Sequence, residues 1–81
     1  LNFKGYTLME RQGKLEEAYP YIRKALELRP DDAYIRDSLG WYHFKKGQYG
    51  KSLKELQFAW SRAKTDRTIA EHLVLVYKAM N

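Results

Sequence analysis

Leu39-Gly40-Trp41-Tyr42-His43-Phe44-Lys45-Lys46-Gly47-Gln48-Tyr49 decides the fold, because its landmarks recur at a fixed interval along the chain. Gly13 with Gly47, Leu15 with Tyr49, Ala18 with Ser52, Ile22 with Leu56, Ala25 with Ala59 and Pro30 with Lys64 are each separated by 34 residues. At the same spacing Leu39 recurs as Leu73 and His43 as Tyr77. Gly5 and Gly40 lie 35 apart, so the first unit carries one extra residue before Gly13, where a turn absorbs it. A fixed period in this range marks a protein that stacks one small unit repeatedly, each copy burying a face that it cannot cover alone.

Stacking has to supply the core, since 81 residues is near the lower limit for a single hydrophobic interior. No apolar run approaches the roughly 18 to 20 residues that span a bilayer, and no basic stretch followed by an apolar one forms a signal peptide. Cysteine is absent, which excludes disulfides and thiolate chemistry and leaves cytoplasm and periplasm equally open. The chain reads as a section of a longer protein: its first residue is Leu1, and its last segment carries Ile69, Leu73, Val74, Val76 and Tyr77 where a closing helix would be polar. Net charge is +5, with the excess in residues 32–65, where seven basic residues face three acidic ones. Lys45, Lys46, Lys51, Lys54, Arg62 and Lys64 supply it, either as a solvated helix face or as a surface that steers an acidic partner.

Five helices account for the pattern. The first covers about Leu1 to Arg11 and stops at Gly13; the second runs from Leu15 to Leu28 with an apolar stripe of Leu15, Ala18, Tyr19, Ile22, Ala25 and Leu26. Glu16 and Glu17 suit the positive end of its dipole, and Pro20, beyond the first turn, predicts a bend. Asp31 or Asp32 caps the third helix, about Ala33 to Lys46, which Gly47 ends. The fourth spans about Tyr49 to Ala63, and Thr65 or Asp66 opens the fifth, about Arg67 to Met80. No period-two alternation and no Asn-Gly or Asp-Gly turn competes, so the expected class is all-α.

Glycine inside a helix costs about 1 kcal/mol against alanine, so Gly5 and Gly40 need a packing reason. Close helix crossings provide it, with Ala18, Ser52, Ala25 and Ala59 at the other tight places. Leu39-Gly40-Trp41, Gly47, Tyr49, Ser52, Leu56 and Ala59, with Ala18, Ala25 and Pro30 in the earlier copy, together resemble the tetratricopeptide repeat, a helix-turn-helix unit of about 34 residues. The resemblance implies one domain over 1–81: repeat one at 1–31, repeat two at 32–65, and a partial repeat or capping helix at 66–81. It also implies a right-handed superhelical stack of antiparallel helix pairs, an alpha-alpha solenoid. Ser52, Lys64 and Val74 depart from the family's alanine, proline and small residue.

In that family the first helices of successive units line a concave groove for a peptide or helix of a partner protein. Matching positions here are Asn2, Tyr6, Met9, Tyr34, Asp37, Trp41, Phe44, Lys45, Glu71, Leu75 and Lys78. The resemblance thus implies a non-catalytic scaffold or adaptor with a protein or peptide partner and no cofactor. Trp41 with Tyr6 would form an amphipathic anchor, and Trp41→Ala is expected to weaken partner binding while leaving helicity intact. Packing between helices is the competing reading for Tyr34 and Phe44. The lysine, arginine and asparagine set that grips C-terminal carboxylates in some members is not matched, since those positions hold Asn2, Tyr6, Ser38, Thr68 and His72.

Other chemistries find little support. Ser38 and His43 are five apart on a helix and point to different faces, which is wrong for a nucleophile and its base. His43 and His72 lie on different helices without the paired spacing of a zinc site. An RNA-binding helical repeat, using the basic second unit with Trp41, Tyr42, Phe44 and Tyr49, is one alternative; self-association through the apolar terminal segment is the other.

Overall fold

In a computed structural model of the chain, residues 14–81 are described. They form four α-helices and, among the described residues, no strand: α1 (Leu15–Leu28), α2 (Ala33–Lys45), α3 (Tyr49–Arg62) and α4 (Arg67–Met80). The helix expected at about Leu1 to Arg11 lies outside the described residues. The other four expected elements are present with boundaries within one residue.

The ends of the helices follow from named side chains. Asp32 caps α2, its Oδ1 accepting from the N–H groups of Tyr34 at 2.9 Å and Ile35 at 3.1 Å. Asp66 caps α4 through the N–H of Ile69 at 2.9 Å. At the other end of α2, Gly47 adopts φ 76°, and the chain reverses with Gln48 N–H bonded to His43 C=O at 2.8 Å and Gly47 N–H to Phe44 C=O at 2.9 Å. That pair of bonds is the Schellman ending, which glycine permits without a Cβ penalty. Pro20 sits within α1, and the helix continues past it to Leu28.

α2 is the central element. Ala33, Ile35 and the run Asp37–Tyr42 are all buried, so it has no single apolar stripe: α1, α3 and α4 each cover part of it. The outer helices bury only narrow stripes, Ala18 and Ile22 in α1, Ser52, Leu56 and Ala59 in α3, Ile69, His72 and Val76 in α4. Gly40 shows why the small positions exist: a Cβ there would meet Leu56 Cγ at 2.7 Å and Cδ2 at 2.9 Å. Ser52, which stands where the first unit has Ala18, donates its hydroxyl to the Gly40 carbonyl at 2.7 Å and so satisfies its own burial.

Arg36 ties the same helix pair at its other end. Its Nη1 meets Glu55 Oε1 at 3.0 Å, its Nε donates to the Pro30 carbonyl at 2.8 Å, and its guanidinium lies 4.9 Å from the Phe58 ring centre. Contacts of Gly40 with Ser52 and of Arg36 with Glu55 run in opposite order along the two chains, so α2 and α3 are antiparallel. α3 and α4 are antiparallel too, with Ala59 packed with Ile69 near one end and Gln57 Nε2 donating to Tyr77 Oη at 3.1 Å towards the other. α2 and α4, first helices of successive units, therefore run side by side in the same direction.

Candidate protein-interaction face

The face named by the sequence lies where α2 and α4 adjoin, and its middle is filled by side chains from both. Asp37 Oδ1 is 2.8 Å from His72 Nδ1, with both residues buried. The Trp41 ring stacks with His72 at 4.0 Å between centroids and 13° between planes, and with Phe44 at 4.7 Å and 12°. Lys45 places its Nζ 5.4 Å from the Trp41 ring centre, within the range of a cation–π contact. Carboxylate, imidazole, indole and ammonium thus form one connected cluster, and its imidazole comes from the neighbouring unit.

Among the residues named from the sequence, Tyr34, Lys45, Glu71, Leu75 and Lys78 are exposed, Phe44 is half-buried, and Asp37 and Trp41 are 5% and 9% exposed. Asn2, Tyr6 and Met9 lie outside the described residues. Glu71 lies 3.8 Å from Arg67, and Lys45 and Lys78 add two exposed ammonium groups. His72, which the sequence reading weighed for other chemistries, was left out of the partner-binding set. Its spacing aligns it with Ser38, which is buried at the equivalent place, and that alignment is the signal that could have found it.

A second polar cluster ties α1 to the end of α2. Glu16 accepts from Lys46 Nζ at 2.6 Å and from the Tyr42 hydroxyl at 3.0 Å, and the Tyr42 ring lies 4.9 Å from Tyr19. The Lys46 ammonium, followed by the Tyr42 hydroxyl, holds the Glu16 carboxyl below its ordinary range. Lys46 is raised by the same bond, and burial, then Glu16, pushes the Tyr42 phenol up.

The Ser38 and His43 side chains bond to separate partners. Ser38 Oγ donates to the Tyr34 carbonyl at 3.1 Å, while His43 Nδ1 lies 2.8 Å from Gln48 Oε1, so the two side chains serve their own helix and its turn. Among the described residues no group of three or more His, Asp or Glu side chains could hold a metal ion, and no helix is long and apolar enough to cross a membrane.

Comparison with known proteins agrees with the repeat arithmetic. The tetratricopeptide repeat family profile matches residues 1–32. A TPR repeat-containing protein of Pseudomonas aeruginosa is 40% identical over 73 residues, which is 90% of this chain and 12% of that protein. Together these two matches support assigning the chain to the tetratricopeptide repeat family. Tetratricopeptide repeats are in general protein–protein interaction modules and are typically non-catalytic. The chain spans about an eighth of the length of the relative it matches.

Proposed function

We propose that this tetratricopeptide repeat chain is a non-catalytic scaffold or adaptor segment, five helices in a right-handed superhelical stack, that binds a peptide or helix of a partner protein along the α2–α4 face. The observation that carries the reading is the division of labour on that face. Trp41, Asp37 and His72 are locked together beneath it, so Tyr34, Lys45, Leu75 and Lys78 are presented on a floor that is already ordered. A pre-ordered floor lowers the entropic cost of binding, and an aromatic and an aliphatic side chain flanked by ammonium groups suit an amphipathic peptide with acidic residues. The basic excess in residues 32–65 supports the same polarity of partner.

The test is selection of a displayed random-peptide library on the immobilised chain, followed by calorimetric titration of the selected peptides. Binders are expected to be amphipathic and acidic, and to lose about ten-fold or more in affinity with Tyr34→Ala or Lys45→Ala at unchanged helicity. Peptides that bind equally to both variants would place the site elsewhere. The competing RNA reading predicts that single-stranded RNA binds and that its binding weakens steeply between low and high salt, and that outcome would replace this proposal.

A further inference from the structure

His72 has two ring nitrogens, and the contacts within the fold use one of them. Nδ1 lies 2.8 Å from Asp37 Oδ1, and the ring is stacked on Trp41 at 4.0 Å and 13°, so it cannot turn without losing both contacts. A carboxylate only accepts, so in the neutral ring the proton sits on Nδ1 and Nε2 is left with a lone pair. Nε2 has no hydrogen-bond partner among the described residues. No buried side-chain nitrogen or oxygen among them lacks one, so Nε2 is not sealed: it lies in the 8% of the His72 side chain that solvent reaches.

The packing decides which way that opening faces. α3 is antiparallel to both α2 and α4 and backs both, so a ring held between α2 and α4 is closed on the α3 side. It opens on the other side, the face on which Tyr34, Lys45 and Lys78 are exposed. A further unit in a longer chain would leave it open. Asp37 and Trp41, which α4 covers, shift by 34 residues to Glu71 and Leu75, so such a unit would lie across α4 from α2.

A lone pair covered by a partner that gives it no proton is a desolvated, unmatched acceptor, and that is costly; a donor placed on it is matched. The ammonium groups of Lys45 and Lys78 on the same face disfavour a cationic donor and favour acidic residues beside it. We propose, resting on the reading of this face as the partner site, that His72 is a specificity-determining contact. Its Nε2 accepts a hydrogen bond from an uncharged N–H or O–H donor of the bound peptide, next to the peptide's acidic residues. Asp37 fixes the tautomer that makes Nε2 the acceptor.

The test takes peptides selected on the unsubstituted chain that respond to Tyr34→Ala or Lys45→Ala and titrates them at about pH 8, where an ordinary imidazole is neutral. His72→Asn keeps an amide N–H at the place of Nδ1, for Asp37, and has nothing at the place of Nε2. It should weaken binding about ten-fold or more, with helicity unchanged by circular dichroism. One alanine or one N-methyl replacement in the peptide should cause a similar loss, and that loss should vanish on the His72→Asn chain. Alanine marks a side-chain donor, the N-methyl group a backbone one. Long-range proton–nitrogen NMR should show Nδ1 protonated in the free chain and the Nε2 signal displaced on adding peptide. Equal affinity for the unsubstituted and His72→Asn chains overturns the proposal, as does an Nε2 signal that the peptide leaves in place. Should His72→Asn fail to fold, the Nε2 signal decides alone. Peptides indifferent to both Tyr34→Ala and Lys45→Ala overturn the partner-face reading and this proposal with it, a result distinct from indifference to His72→Asn.

Discussion

Single residues in this chain matter most where two helices leave no room. Gly40→Ala forces a Cβ to within 2.7 Å of Leu56 Cγ, and Leu56 is fully buried, so the strain cannot be released into solvent. Better intrinsic helix propensity gains about 1 kcal/mol, while overpacking costs about 1 to 3, and the expected net is a loss seen as a lower urea midpoint. Trp41 is decided by the same reasoning about space. Its ring is buried against His72 and Phe44, so Trp41→Ala opens a cavity and should cost about 3 to 5 kcal/mol, measured by thermal or urea unfolding. That is a large share of the 5 to 15 kcal/mol typical of a whole domain. The expectation drawn from sequence, that the substitution leaves helicity intact, does not follow from this packing. Tyr34 and Lys45, both exposed, are the better probes of binding.

At the level of elements, most of the fold was legible because its signals are local. Gly47 has to end α2, Asp32 and Asp66 cap by short-range hydrogen bonds, and the stripes of α1, α3 and α4 are read from spacing alone. The site was less legible because its geometry is not local. Asp37 and Trp41 share a helix face, as their spacing says, but what fills the space above them is His72, 35 and 31 residues further on. No period reveals whether such a position meets solvent or a side chain from the next unit. α2 illustrates the same limit, since a helix covered on several sides loses the one-sided pattern by which helices are recognised. Pro20 does not end α1, which continues past it to Leu28 as the spacing predicts, with Ala18 and Ile22 fully buried on either side of it. Pro20 itself is exposed, so Pro20→Ala should restore a backbone bond without a clash and stabilise the chain by about 1 to 3 kcal/mol, read as a higher melting temperature.

At the scale of the whole molecule, the described units are held together by two kinds of contact that respond differently to solution conditions. Between α2, α3 and α4 the contacts include the buried Asp37–His72 and Ser52–Gly40 bonds, whereas α1 meets the end of α2 partly through the exposed charges of Glu16 and Lys46, joined by the hydroxyl of the buried Tyr42. Lys46 first, then Tyr42, depresses the Glu16 carboxyl, so its contribution to stability is complete above the unfolded carboxylate value of about 4.3 and is lost as pH falls through the lower folded value. The same bond raises Lys46, so at the alkaline end that contribution persists below the unfolded lysine value of about 10.4 and disappears as pH rises through the folded one. Between those limits the pair is fully charged and α1 is docked with its help. Glu16→Gln should therefore lower the urea midpoint modestly at pH 7, and the gap to the unsubstituted chain should close as the pH is taken down to about 3. High salt should narrow the pH 7 gap as well, because Glu16 is open to solvent and screened. A gap that is the same at both pH values would show that Glu16 acts by packing rather than by charge, alongside the apolar contacts of Ala18, Ile22 and the Tyr19–Tyr42 rings.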